Sequence, residues 1–255
     1  MDNIFINYSL LILVLPLVAF VILIFAGKRL PRQGDWVAVS AILVTLILSI
    51  VMFVAMLLDY NPVFSQESTF TWMDLGAFKI ELGILVDNIT IIMLLVVTLI
   101  SSCSHIFSLK YMEGDIRYSR YYAYLGLFTF SMNGIVLSNN LISMYMSWEL
   151  VGLSSYLLIG HWFEKDSAAD AGKKAFIVNR IGDFGFLLGI LLVWSSLDSI
   201  NFEVLGNTFM EFAQHPDRIP DIWDKVGMAA GLLIFCGAVG KSAQFPLHVW
   251  LPDAM

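Results

Sequence analysis

LISMYMSWELVGLSSYLLIGHWF, residues 141–163, is an apolar run with one carboxylate, Glu149, in its interior. About 20 such residues, rising roughly 1.5 Å each along a helix, cross a hydrocarbon core of ~30 Å. A second run, GMAAGLLIFCGAVG at 227–240, ends on Lys241. A lone ion near mid-membrane costs several kcal/mol, so residues of this kind face a polar interior and mark ion or proton routes. One acid and one base on two spans point to a proton path inside a helical membrane protein.

The composition agrees. The chain is 58% hydrophobic and 14% charged, with a mean hydropathy of +0.79, too little polar content to cover a soluble domain of 255 residues. Seven stretches read as spanning helices: 8–26, 36–58, 84–109, 121–137, 141–163, 175–197 and 227–245. The first has only Asp2 ahead of it, while Lys28, Arg29 and Arg32 follow. A cleaved signal has the opposite polarity, so this reads as a retained helix with its N-terminus on the outer side. Loops after spans one, three and five hold nine basic residues, and the opposite loops hold three, Lys79, Arg218 and Lys225, as the positive-inside rule requires. The net charge of −7 sits mostly in loops and suggests no nucleic-acid partner. Cys103 and Cys236 both lie in apolar runs without metal-type spacing, which excludes an iron–sulfur cluster held by this chain alone.

Two segments depart from the helical pattern. Phe70 and Trp72, then Phe78, Ile80 and Leu82, alternate with Thr71, Lys79 and Glu81 around Gly76, which predicts a short outer-side β-hairpin near 67–83. The loop 199–225 holds Pro216, Pro220 and mixed charges and suits a short surface helix. No repeat, linker or low-complexity tract stands out. In the last span, glycines 227, 231, 237 and 240 precede Lys241, and Pro246 and Pro252 break the helix beyond it. Proline at membrane depth frees backbone carbonyls, which is tolerated where they line a polar cavity. Short spans interrupted by glycine and proline point to transporter ion sites.

Glu149 stands roughly 12 Å into its span and Lys241 about 21 Å along its own, so both fall near one level. Burial disfavours a charged ammonium and a neighbouring carboxylate restores it, so a change in one distance loads or discharges a proton. A pKa unit is worth about 1.4 kcal/mol, against roughly 2.3 kcal/mol per charge per 100 mV of membrane potential. The competing structural reading is a static ion pair that ties two helices together. Arg180 and Asp183, spaced i, i+3 on the sixth helix, either join the same polar chain or snorkel and cap their helix. Lys173 and Lys174 read as interfacial. His105 near the inner end of the third helix could relay protons or simply be hydrogen-bonded there, and His248 could feed the path beyond Lys241. His161 and His105 could in principle hold a haem, but neither has a small-residue pocket around it. Asp87 reads as an N-terminal charge of the third helix.

Four stretches carry a resemblance: SWELVGLSSYLLIG (147–160), KAFIVNRIGDFGFLLG (174–189), GAVGKSAQFPLHVWLPDAM (237–255) and GDIRYSRYYAYLGLFTFSM (114–132). They resemble the L-subunit family of bacterial NADH–quinone oxidoreductase, respiratory complex I, whose mitochondrial members are called subunit 5. The resemblance implies an all-α polytopic fold of about seven transmembrane helices with a broken seventh helix, the first part of an antiporter-like inverted repeat. Residues 1–110 would form helices one to three with the hairpin, and 111–255 would open the proton-translocating domain. It implies that Glu149 and Lys241 form the central pair, supported by Arg180, Asp183 and His105. NADH, FMN, iron–sulfur clusters and quinone would reside on other subunits, with none bound by this chain. The partners implied are the other membrane subunits, above all a neighbouring antiporter-like one, within a bacterial plasma (inner) membrane. On this reading the chain is the N-terminal portion of a longer protein. The large subunit of a multisubunit cation/proton antiporter shares KSAQFPLHVWLPDAM, and hydrogenase-linked membrane subunits are related. IGDFGFLLG and SWELVGL fit the complex I family better. A passive structural anchor is the reading of a different class.

Overall fold

A computed structural model describes residues 4–74 and 79–255 and divides into two compact units, Met1–Ser138 and Asn139–Met255. In the first unit, α1 (Ile4–Ala26) carries Pro16 in its interior, which removes one backbone donor and frees the carbonyl of Ile12. Asn133 of α4 (Tyr118–Leu137) donates its Nδ2 to that oxygen at 3.1 Å. Gly126 of α4 lets the helices close, since a Cβ there would stand 3.1 Å from the Pro16 carbonyl. A proline that would break a soluble helix is thus satisfied by its neighbour.

α2 (Asp35–Leu58) begins on a buried Asp35, which pairs with Arg32 at 2.8 Å and accepts from the Tyr118 hydroxyl at 3.1 Å, fixing the start of α4 against α2. β1 (Ser65–Asp74) and β2 (Lys79–Asp87) pair antiparallel, with a register shift between Thr71 and Met73. This is the hairpin expected from the alternation. Gly76 and Phe78, on which part of that reading rested, lie outside the described residues, as does Asp2. α3 (Asn88–Tyr111) starts on Asp87, whose carboxylate accepts from the Thr90 amide at 2.7 Å. Asp87→Ala is expected to cost about 1 kcal/mol, read as a lower unfolding midpoint in detergent.

Small hydroxyl side chains are buried beside the apolar core, and many large apolar side chains face outward. Ser9, Thr45, Ser49, Thr98 and Ser102 are buried, whereas Phe25 and Leu58 are 82% and 84% exposed. The hydroxyls of Thr45, Ser49, Thr98 and Ser102 donate to carbonyls of their own helices, as Ser49 to Thr45 and Ser102 to Thr98. Exposed large apolar side chains together with buried small and hydroxyl ones suit lipid, where helices approach through small residues.

The second unit holds α5 (Leu141–Ile159), α6 (Asp166–Leu197), the surface helix α7 (Phe202–Gln214), α8 (Asp221–Lys241) and a short α9 (Leu251–Ala254). Glycines bring α6 and α8 together. A Cβ on Gly182 would lie 2.7 Å from the Cys236 carbonyl, and one on Gly189 would lie 2.7 Å from the Ile234 amide. This close seam sets the level of α8 against α6, and so of Lys241 against Asp183.

Six helices among the described residues are long and apolar enough to cross a membrane, against the seven expected. The remaining expected span, α4, is a helix of 20 residues at the expected place, less apolar because Tyr118, Ser119, Tyr122 and Asn133 are polar residues that bond neighbouring elements. The third span begins at Asn88 rather than 84, because 84–87 stay in β2. The sixth begins at Asp166, where an acid in the first turn and an alanine-rich run favour helix. The last runs through Asp221–Lys241 and stops there; Ala243 at φ 48 turns the chain, and Trp250 Nε1 donates back to the Gly240 carbonyl at 3.1 Å.

Candidate functional site

Three helices of the second unit bring four charges into one line. α5 supplies Glu149, α6 supplies Arg180 and Asp183 on one face, and α8 delivers Lys241 as its last residue. The Arg180 guanidinium pairs with the Glu149 carboxylate, and its Nη1 stands 3.7 Å from Asp183 Oδ2. Lys241 Nζ stands 3.7 Å from that same oxygen. The order is therefore Glu149, Arg180, Asp183, Lys241: two acids and two bases, with no net charge when all are ionised.

Exposure is higher in the first half of the line, 24% for Glu149 and 32% for Arg180, than in the second, 1% for Asp183 and 12% for Lys241. Asp183 Oδ1 accepts from Trp148 Nε1 at 2.7 Å, which fixes the carboxylate's rotation and leaves Oδ2 turned to the two cations. Oδ2 and Lys241 Nζ have no hydrogen bond among the described residues. Their contact is an ion pair at a distance from which a small rotation of the lysine makes or loses a hydrogen bond. The lysine also lies 6.0 Å from the Trp148 ring, and Arg180 lies 4.5 Å from that of Phe176. Trp148→Phe keeps the ring and deletes the donor. It is expected to lose about 1.5–3 kcal/mol, the range for hydrogen bonds to charged groups, read in chemical unfolding.

Glu149 and Lys241 make no direct ion pair. Arg180 reaches Glu149 first because its long fork can address two carboxylates, while Lys241 at the helix end faces Asp183. His105 belongs to the first unit, buried between α3 and α4; its Nδ1 lies 2.8 Å from the Ser101 carbonyl, and Tyr122 donates to its backbone oxygen at 3.0 Å. His248 is exposed, with its ring on Phe245. Lys174 binds Asp253 at 2.6 Å, tying α6 to the segment that follows α8.

Two residues of the site went unread in the sequence. Trp148 adjoins Glu149, and an indole N–H in an apolar span needs an acceptor. Gly152 is one turn from Glu149, and a Cβ there would collide with Lys241 Nζ and stand 3.3 Å from Arg180 Nη2. The glycine makes the room in which the ammonium sits. Cys103 and Cys236 lie in different units, and no group of three or more His, Cys, Asp or Glu could hold a metal ion among the described residues.

Two family models match. One, described as NADH:quinone oxidoreductase/Mrp antiporter, TM, covers residues 138–255, and the other, NADH-Ubiquinone oxidoreductase (complex I), chain 5 N-terminus, covers 72–122. The chain is 40% identical over 253 residues to NAD(P)H-quinone oxidoreductase subunit 5 of the Mesostigma viride chloroplast, matching 98% of this chain and 38% of that protein. It is 40% identical over 257 residues to NADH-quinone oxidoreductase subunit L of Neisseria meningitidis, at 96% and 37% coverage. The chain belongs to the complex I subunit 5/L family. All four charges fall within the stretch that the first of its models matches, and His105 within the second. The chain spans under two fifths of the length of these subunit 5/L relatives, at 38% and 37%. The fold is shared with the membrane-bound sulfane sulfur reductase, an archaeal respiratory complex, at TM-score 0.74 and 20% identity, over 96% of this chain and 47% of that one. It is shared as well with the Mrp complex of a Dietzia species, at TM-score 0.76 and 21% identity, over 96% and 25%.

Proposed function

We propose that this chain forms part of a proton-translocating membrane subunit of an NADH–quinone oxidoreductase. The observation that carries the reading is the line Glu149–Arg180–Asp183–Lys241 set among apolar helices. A neutral line of alternating charges accepts a proton at one end only by releasing one elsewhere, because any excess charge at this depth is costly. Protonating Glu149 frees Arg180 to turn to Asp183. Asp183 then holds Lys241 less tightly, and the lysine gives up its proton. Reloading Lys241 runs the sequence in reverse. Lys241 is the carrier, Glu149 the trigger, and Arg180 with Asp183 the link that couples them through space. His105 and His248 would be supporting members of the route.

In this reading residues 111–255 open the antiporter-like domain, and a neighbouring antiporter-like subunit takes up the coupling. Oxidation of NADH and reduction of quinone, with their FMN and iron–sulfur clusters, belong to other subunits. The surrounding membrane would be a bacterial plasma membrane with the N-terminus outside, as the nine-to-three bias of basic residues favours.

A cation/proton antiporter would use the same four residues for ion exchange, and the shared fold with the Mrp complex keeps that as the second reading. Subunit composition separates them. The native assembly, identified by mass spectrometry, is expected to contain flavin and iron–sulfur subunits. A redox-free set of small membrane partners would overturn the oxidoreductase assignment in favour of the antiporter.

A further inference from the structure

We infer that the end of α1 and the start of α4 form a binding site for the phosphate of an anionic phospholipid. The site lies wholly in the first unit, and none of its residues belongs to the line Glu149–Arg180–Asp183–Lys241. A cavity of about 350 Å³ opens there, lined by four cations, Lys28, Arg29, Arg117 and Arg120, and by no carboxylate. Lys28, Arg29 and Arg120 are exposed and make no ion pair among the described residues.

The backbone draws these cations together. Ser119 Oγ donates to the Leu23 carbonyl at 3.1 Å, and the Ser119 amide donates to Gln33 Oε1 at 3.4 Å. Gly27 packs against Ser119 so closely that a Cβ would strike its hydroxyl. The helix end carrying Lys28 and Arg29 is thus fixed beside the one carrying Arg117 and Arg120. Four like charges around one hollow repel each other, and an anion between them removes that repulsion while accepting several charge-assisted hydrogen bonds.

The rim says which anion. Phe25 and Ile116 both line the cavity and are 82% and 90% exposed, and Ile24 beside Phe25 is 39% exposed. α1 is the most apolar of the spans, at hydropathy 3.1 over Ile4–Arg29, so the hollow opens where acyl chains meet headgroups. A free phosphate would satisfy the cations and leave Phe25 and Ile116 unmatched. A phospholipid meets both, its phosphate among the basic side chains and a chain along the apolar rim. Basic pockets at the ends of membrane helices hold anionic headgroups in this way.

The test is native mass spectrometry of the assembly holding this chain, delipidated in neutral detergent and titrated with phosphatidylglycerol, phosphatidylcholine or inorganic phosphate. The expected result is one phosphatidylglycerol retained in preference to phosphatidylcholine and not displaced by millimolar phosphate. Each cation removed is expected to weaken retention roughly fivefold, tested with Lys28→Gln, Arg120→Gln and the pair. Lys28→Arg is expected to bind as the parent does. Should the double variant fail to assemble, the two single variants decide the matter. Unchanged retention in the variants, equal retention of phosphatidylcholine, or displacement by inorganic phosphate would each overturn the assignment, the last by showing a free-phosphate site.

Discussion

Lys241→Ala is expected to lower proton pumping on the order of tenfold or more while the protein still folds and assembles. Folding survives because Asp183 keeps two partners, Arg180 at 3.7 Å and the Trp148 donor at 2.7 Å, so no carboxylate is left buried alone. Transport fails because the line then ends at Asp183. A barrier raised by only ~1.4 kcal/mol slows a step tenfold, and moving a proton across a membrane-depth gap without a carrier costs more than that. Lys241→Arg tells carrier from strut. Arginine keeps the positive charge and its pairing with Asp183, but it does not release its proton in proteins. A static tie would tolerate it. A proton carrier would be disabled as deeply as by alanine. The readout is NADH-driven acidification of proteoliposomes, with subunit content checked alongside; wild-type pumping in Lys241→Arg would sink the carrier role.

The members of this line were legible in the sequence, and their order was not. Glu149, Arg180, Asp183 and Lys241 stand out because ions inside apolar runs are rare and demand a reason. Which ion meets which depends on the level of α8 against α6, set by glycine contacts such as Gly182 on the Cys236 carbonyl, which no charge pattern encodes. The direct Glu149–Lys241 pair therefore gave way to a line through Arg180 and Asp183. Spans were readable from apolar length, and the hairpin from alternation at 70–72 and 80–82. The junction at 84–87 misled because Ile84, Leu85 and Val86 are as apolar as the helix they precede, yet they pair with Ser68, Glu67 and Gln66 in the sheet. α4 read as a span and is a 20-residue helix less apolar than the other six, and its polar residues meet its neighbours: Asn133 on the carbonyl freed by Pro16, and Tyr118 on Asp35.

Gly152→Ala is expected to impair pumping severalfold with almost no change in thermal stability, and Gly182→Ala to lower both. Both glycines face a neighbour that an added methyl would strike, but the neighbours differ. At Gly182 the obstacle is backbone, the Cys236 carbonyl at 2.7 Å, so the α6–α8 seam must open, and overpacking of that kind costs about 1–3 kcal/mol. At Gly152 the obstacle is the tip of the Lys241 side chain, which can swing aside on its four-carbon stem. The methyl therefore moves the ammonium rather than the helices. Lys241 Nζ already stands 3.7 Å from Asp183 Oδ2, beyond hydrogen-bond distance, so a displacement of an ångström takes it out of ion-pair range. Arg180 Nη2, 3.3 Å from the same added carbon, is pressed as well, which loosens its hold on Glu149. Melting temperature and pumping rate, measured on both variants in the assembled complex, separate the two outcomes. If Gly152→Ala melts early and Lys241 variants pump normally, the α5–α8 contact is packing alone. If Gly152→Ala melts like the parent yet fails to pump, the position of one ammonium against Asp183 is what the path depends on.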